Sequence, residues 1–374
     1  MNSTRSLMPS RKGYHKVRGG CLTCKERKVR CGLERPVCRN CSRLFRSCTY
    51  AKPVPGQETA QSPFDLQSKC VSEIELMHHY TAYTYLTLSD NPILVSLWKE
   101  VVPKHAFQHH FLLQGLLAVA AQHRLHDKSG ISMDLINTAN FYHHKALSNY
   151  INLLSDVTEE NCHALFAFSQ VIVAISYSRL SLGFYEETKL SHGLIASIVH
   201  IFELLKGALA IANQARTWLR AGDLGPMLRQ TPKRQSSNPS AVHASCIEAL
   251  SKLSDHIAGQ IGNSDESRVR GGSLLSAIQL LHTLFLEDFE SVDKLNKIVG
   301  LPVFLDKNYL SLMRARDDAS LAILAYYGVA LHQIRHVWSF DGIGAKIVQA
   351  VACLVSHDWS PYLIWPQMEI NEGP

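Results

Sequence analysis

The chain has 374 residues, of which 46% are apolar and 19% charged, and this supply of apolar side chains excludes global disorder and suffices for one large core plus a small module. The net charge of +6 is unevenly placed: residues 1–52 carry 14 Lys and Arg against Glu26 and Glu34, net +12, while the remainder carries 24 against 30, net −6. A short basic end on an acidic body points to a polyanionic partner. No apolar h-region stands near Met1 and Gly does not follow it, so neither a secretory signal nor myristoylation, and no membrane partner, is expected.

Residues 1–20 are polar and basic without apolar periodicity and are expected to be a disordered basic arm. A cysteine-rich module occupies residues 21–50. Residues 51–73 form the expected linker, with Pro53, Pro55, Gly56 and Pro63 set among Gln, Ser and Thr. A flexible stretch of about 20 residues spans on the order of 25 Å, enough for the flanking parts to reorient.

From Ile74 the apolar spacing becomes helical, and residues 74–374 are predicted to form one all-α domain. Asn91 and Pro92 predict an N-cap and a first-turn proline, opening a short helix that ends near Pro103. A longer helix is predicted from Lys104 to His126 through Phe111, Leu112, Leu116 and Val119. Further helices are predicted from Met133, from Thr158 as N-cap with Glu159 and Glu160 in the first turn, and from Lys189. Pro226, Pro232 and Pro239 mark a loop over 224–240, after which helices resume near Ala241, Ser273, Asp306 and Gly344. The stretch Asp318 to Ile334 is apolar around nearly its whole circumference and is expected at the centre of the core. The uncharged run Asn161 to Ser178 also reads as a buried helix, because its polar residues and bare spanning length fit a core better than a bilayer.

Of the ten cysteines, Cys70, Cys162, Cys246 and Cys353 are scattered singly and read as core or surface thiols. The other six repeat one spacing, Cys21-x2-Cys24-x6-Cys31 and Cys38-x2-Cys41-x6-Cys48. Clustered thiols in a chain without an export signal hold metal more often than they form disulfides. Two tetrahedral zinc ions need eight ligand positions, and six thiolates supply them only if two bridge, for which the symmetry of the halves selects Cys21 and Cys38. Such thiolate-saturated zinc has no open position for catalysis, and no H-E-x-x-H, nucleophile elbow or phosphate loop suggests an enzyme.

Between Cys24 and Cys31 stand Lys25, Arg27, Lys28 and Arg30, which a short zinc-pinned helix would project as a cationic probe for guanine O6 and N7 in the major groove. Arg39, Arg43 and Arg46 of the second half are assigned to phosphates. These residues resemble the fungal binuclear zinc-cluster transcription factors, whose pattern C-x2-C-[RK]-x-[RK]-K-x-[KR]-C this segment fits. The resemblance implies a nuclear, sequence-specific RNA polymerase II transcription factor on double-stranded DNA, reading CGG-like triplets. Lys28 then matches the main base-contacting lysine, Arg27 the adjacent contact, and Pro36 the loop proline, which is often cis.

Residues 74–370 resemble the family of the sterol uptake control protein of yeasts, through His78-His79-Tyr80, Thr87-Leu88-Ser89, Phe111 to Ala121, Val157 to Ser169, Ala319 to Trp338 and Trp365-Pro366. That likeness implies a helical regulatory domain, which in some members binds a sterol. The partners expected beside DNA are therefore transcription machinery and a sterol or other apolar effector. The short linker without sustained heptads leaves dimerisation open.

Other features read blandly. His105 and His109 stand four apart, as metal pairs do, but lack nearby thiolate or carboxylate partners and read as ordinary histidines, as do His143 and His144. Gly342-Ile343-Gly344 reads as a loop before a helix rather than half a dinucleotide fingerprint. Phe166, Phe168, Tyr177 and Phe184 fit either core packing or an apolar pocket. Lys233, Arg234, Ser236 and Ser237 read as a solvated loop. The competing function is a zinc-dependent RNA-binding or protein-interaction module without sequence-specific DNA readout.

Overall fold

A computed structural model describes residues 19–33, 38–42, 48, 50, 72–127, 132–183, 190–228, 241–286 and 294–371. The basic arm up to residue 18, the linker over 51–71, Pro36, Arg43, Arg46, Cys70, Phe184 and the Lys233 to Ser237 loop lie outside these residues. Two compact units are formed, Met1–Ser68 and Lys69–Pro374. Among the described residues all regular structure is helical, as expected, and none is strand. The described residues of the first unit include the short helices α1 (Leu22–Glu26) and α2 (Arg39–Ser42).

The second unit opens with α3 (Glu73–Ala82), fixed by a capping box in which Ser72 Oγ accepts from Glu75 N and the Glu75 carboxylate accepts from Ser72 N. A 3-10 turn, Thr84–Thr87, leads to α4 (Pro92–Ser96), where Asn91 Oδ1 accepts from Ile93 N at 2.9 Å and Pro92 fills the first turn. Pro103 does not end this stretch. A π turn, Leu97–Val101, runs on into α5 (Val102–Gln108), and Pro103 is accommodated within this run, where the Trp98 carbonyl accepts from Tyr80 Oη at 2.8 Å instead. The helix predicted over 104–126 is likewise broken at His109, whose extended backbone (φ −122°, ψ 97°) separates α5 from α6 (His110–His126). No glycine or proline announces that break; the carbonyl of His109 restarts the ladder by accepting from Leu112 N and Leu113 N.

Next come α7 (Met133–Leu153), capped by Ser132, and α8 (Cys162–Ser181). Thr158 is not the cap of α8. Its N–H goes to Asn161 Oδ1, while Asn161 Nδ2 donates to the Asp156 carbonyl, and this side-chain turn delays the helix to Cys162. Beyond α9 (Leu190–Gln214), α10 (Arg216–Ala221) and a 3-10 turn at Gly225–Leu228, the chain continues through α11 (Ala241–Gly259) and α12 (Asp265–Leu286). The last of these begins eight residues before the expected Ser273. Gly271 and Gly272 therefore lie inside it, and the space a Gly271 Cβ would need is taken by the Ile261 side chain at 2.5 Å. The remaining helices are α13 (Lys294–Gly300), α14 (Lys307–Ala315) capped by Asp306, α15 (Asp318–His332), α16 (Ile343–Leu354) and α17 (Ile364–Asn371).

Two apolar cores result. One gathers α3, α6, α7 and the first half of α8 around Tyr80, Leu116, Phe111 and Phe168; the other gathers α9, α11, α12 and α14 to α16 around Phe202, Phe285, Tyr326 and Tyr327. Helix α8 feeds both, with Phe168 and Val171 in the first and Val173, Tyr177 and Leu180 in the second. That is why its apolar residues show no single face. By length and composition α8, Ser191–Gln214 and α12 are apolar enough to cross a membrane; 72% of the relevant stretch of α8 is buried within the body. Helix α15 is central, with every residue from Ala319 to Leu331 buried.

Buried hydroxyls are satisfied in a chain. Tyr327 donates to the Ile298 carbonyl at 3.1 Å, leaving its oxygen to accept from Tyr177 at 3.3 Å, and Tyr309 donates to the Ser320 carbonyl at 3.0 Å. Helices α15 and α16 touch backbone to backbone at Gly328 and Gly344, where a Cβ on Gly344 would stand 2.4 Å from the Gly328 oxygen. Gly342, with φ +68°, turns the chain into α16 as its N-cap, while Gly344 already lies in the first turn of that helix. Because backbone cannot move aside as a flexible side chain does, Gly344→Ala is expected to lower the unfolding free energy by about 1–3 kcal/mol in urea melts. Gly207→Ala, in the interior of α9 with open space around it, should leave stability unchanged or raise it by roughly 0.5–1 kcal/mol.

Candidate metal centre and nucleic-acid interface

The repeated C-x2-C spacing places a sulfur at each helix entrance and another within its first turn. Cys21 caps α1, its sulfur accepting from Cys24 N at 3.4 Å, and Cys38 precedes α2, its carbonyl accepting from Cys41 N at 2.9 Å. The third cysteine of each half folds back, Cys31 accepting from Cys21 N and Cys48 from Cys38 N at 3.4 and 3.3 Å. The described cysteines are all unpaired thiols.

Their sulfurs converge in two groups, Cys21, Cys24, Cys31 and Cys38, and Cys21, Cys38, Cys41 and Cys48, each with all sulfurs within 4.8 Å of one another. Cys21 and Cys38 are common to both. The Cys21–Cys38, Cys24–Cys38 and Cys21–Cys41 sulfur separations are 3.8, 3.6 and 3.7 Å. A tetrahedron with zinc–sulfur bonds of about 2.3 Å has an edge of about 3.8 Å, so the donor set fits zinc in type and spacing. Burial pushes the Cys41 thiol up to about 12 and raises Cys24 also. Burial acts to raise Cys38 too, but the Cys41 N–H and the neighbouring thiols hold it at about 6. Converting the whole set to thiolates therefore calls for a cation among them.

Around this centre Lys25, Lys28, Arg30 and Arg39 are exposed. Arg27 is half-buried, and one of its terminal nitrogens, Nη1, is buried without a hydrogen-bond partner. Helix α1 ends in a Schellman turn, with Lys28 N donating to the Lys25 carbonyl and Val29 N to the Cys24 carbonyl. The position this motif usually gives to glycine is held by Lys28, at φ 51°. A non-glycine residue there costs roughly 1–2 kcal/mol of backbone energy. Two side chains passed over in the sequence also belong to the site: Asn40 Nδ2 donates to the Arg30 carbonyl, tying the halves together, and Tyr50 Oη lies 3.7 Å from Cys31 Sγ. Neither follows a spacing rule, so no local signal marks them.

In the second unit, His105 and His109 do not form a pair on one helix face, since α5 ends between them; His105 instead stacks on His163 at 5.2 Å. Of the four aromatics with two readings, Phe166 lines a cavity, Phe168 packs edge-on against Phe111 and Tyr150, and Tyr177 sits in the second core. The cavity has a volume of about 740 Å³ and runs along the seam where α8 and α9 divide the two cores. Its wall is chiefly apolar, with Trp98, Leu205, Leu284 and Phe340 beside the polar Asn91, Gln170 and Asn296.

Residues 19–57 match the fungal Zn(2)-Cys(6) binuclear cluster domain. A Zn(2)-C6 fungal-type transcription factor of Gibberella zeae is 22% identical over 96% of this chain and 86% of its own length. The afumD Zn(2)-C6 fungal-type transcription factor of Aspergillus fumigatus is 32% identical over 30% of the chain, and sterol uptake control protein 2 of Saccharomyces cerevisiae is 23% identical over 75% of it. The matches cover only 34% and 30% of those two proteins. Among the described residues of the cysteine unit only Val29 and Tyr50 pack against the cysteines, so metal is expected to supply much of its folding energy. A strong chelator is expected to abolish its protection from proteolysis while the helical circular dichroism of the second unit persists.

Proposed function

We propose that this DNA-binding transcription factor, whose cysteines bind zinc, holds two zinc ions per chain and reads CGG-like triplets in the major groove of double-stranded DNA. One ion would be held by Cys21, Cys24, Cys31 and Cys38 and the other by Cys21, Cys38, Cys41 and Cys48. The sharing of two sulfurs between two groups of four is the single observation that supports this reading. Four positive charges and six thiolates leave the cluster at −2, so the basic side chains around it still dominate.

Lys28 and Arg27 are assigned to guanine edges, with Lys25 and Arg30 beside them, and Arg39, Arg43 and Arg46 to phosphates. Lysine at a glycine-favouring position supports the assignment for Lys28, because a costly backbone conformation is retained where the side chain has work to do. Residues 1–20, 21–50, 51–73 and 74–374 then serve as arm, reader, linker and regulatory domain, acting in the nucleus. Contacts of the regulatory domain with transcription machinery complete the scheme. Lys28→Ala should cost about 1–3 kcal/mol at the preferred site and flatten discrimination between bases. Arg39→Ala should weaken all sequences alike and reduce the salt slope by about one unit. Selection from random duplexes should enrich a GC-containing triplet; no enrichment, with RNA or a protein retained instead, would favour the interaction-module reading.

A second reading concerns control. The seam cavity lies within the roughly 300–1,000 Å³ range of small-molecule sites, and its apolar wall with a few polar groups suits a rigid apolar effector. The likeness to a sterol uptake control protein makes a sterol the first class to test. A sterol that binds the native state must raise the melting temperature of the full chain. Ala208→Trp, which fills the cavity from α9, should remove that shift while keeping the helical signal.

A further inference from the structure

The structure gathers a set of metal-ligating side chains that no sequence spacing announces. His79 of α3 and His123 of α6 stand 44 residues apart in the chain, yet their rings face each other with centroids 5.0 Å apart. Asp127, one turn beyond His123 and capping α6, reaches toward both: its two carboxylate oxygens lie 3.8 Å from His79 Nε2 and 3.9 Å from His123 Nε2. The three donor atoms all lie within 4.8 Å of one another. We propose that His79 Nε2, His123 Nε2 and the Asp127 carboxylate form a metal site for a divalent transition ion, zinc foremost, within the helical regulatory domain and separate from the cysteine cluster.

Three features favour a metal over a simple His–Asp contact. The first is an outer partner for His123. His123 Nδ1 lies 3.1 Å from the oxygen of the fully buried Thr84, and donation along that line leaves the Nε2 lone pair directed at the site. A ligating histidine usually spends its other nitrogen on such an outer partner. The second is an orphan. His79 Nε2 is buried without a hydrogen-bond partner, an unfavourable condition that a bound cation would relieve. The third is reach. Zinc bonds of about 2.0–2.2 Å place tetrahedral nitrogen and oxygen ligands about 3.3–3.5 Å apart, so the carboxylate must close by a few tenths of an ångström. Asp127 is free to do so, its side chain being 54% exposed, whereas those of His79 and His123 are held at 12% and 8%.

Two imidazoles and a carboxylate are the donor set of zinc and its neighbours rather than of calcium or magnesium, which prefer oxygen alone. Asp127 opens the site to solvent, so the ion enters from the surface and keeps water in its remaining position. Trp338 lies tilted against His123 with ring centroids 4.9 Å apart and donates through Nε1 to Thr87 Oγ1 at 2.7 Å, which joins a third segment to the same cluster. A bound ion would therefore clamp the first helix of the domain to α6 and the Trp338 turn. Its effect is on the stability and order of that end of the domain.

The test uses the full chain with its cysteine cluster loaded, exposed to excess zinc chloride and then desalted. Wild type should retain one more zinc per chain than either Asp127→Ala or His79→Ala, and zinc should raise the melting temperature of the wild-type helical domain but not of the variants. The difference between proteins is the readout, so it does not depend on how many ions the cysteines hold. Asp127 is exposed and its replacement leaves the core intact, which keeps the comparison valid if His79→Ala folds poorly. Equal zinc content and equal zinc-dependent melting in wild type and Asp127→Ala would overturn the proposal.

Discussion

Six sulfurs gathered in two groups of four, each within 4.8 Å and sharing Cys21 and Cys38, stand where the described part of the first unit would otherwise need a hydrophobic core, and everything proposed for that unit depends on them. Fewer than 30 residues cannot bury enough apolar area to offset chain entropy, so covalently directional metal–thiolate bonds must supply the cohesion. The same bonds dictate the local backbone. Each C-x2-C pair needs one turn of helix to bring two sulfurs to one point, and each third cysteine must fold back onto the helix entrance. The short α1 is thereby held rigid at both ends, and its basic side chains project from a frame that ordinary helix propensity over five residues would never stabilise.

Electrostatics follow from this arrangement. The buried sulfurs are ringed by Lys25, Lys28, Arg30 and Arg39, all exposed, and the two zinc ions proposed would leave six thiolates at a net −2, so the outer surface would remain cationic. The αL conformation of Lys28 is tolerable in such a frame because the zinc-held cysteines on either side over-determine the turn. Arg27 behaves differently, with part of its guanidinium turned inward, and this separates two neighbours that a helical projection from sequence treats as equivalent.

The second unit is organised by a different constraint, that one apolar helix must serve two cores. Helix α8 is buried on all sides because α6 and α7 cover one flank and α9 with α16 approach the other. Close approach is bought with small residues: Gly115 admits the Phe168 ring, and Gly328 meets Gly344 across the α15–α16 contact. Where the two cores diverge, side chains from α8, α9 and α12 do not meet, and the seam cavity is the space left between them. A ligand there would touch both cores, so its binding would couple their relative packing, a physical route from an effector to the state of the domain.

What the sequence determined by itself was chemistry carried by local spacing. The gathering of six cysteine sulfurs into two groups that share Cys21 and Cys38, the all-helical class, the cap at Asn91 and a helix starting by Asp306 were legible because each depends on residues within a turn or a short repeat. The break at His109, the delayed start at Cys162 and the early start at Asp265 were not, because a side-chain turn or a distant neighbour outweighs propensity at those positions. Only tertiary structure decided the seam cavity, the glycine contact of α15 with α16 and the meeting of His79 with His123 and Asp127. These arise from the packing of helices far apart in the chain, and packing depends on the shapes of all the side chains between them, which no local pattern encodes.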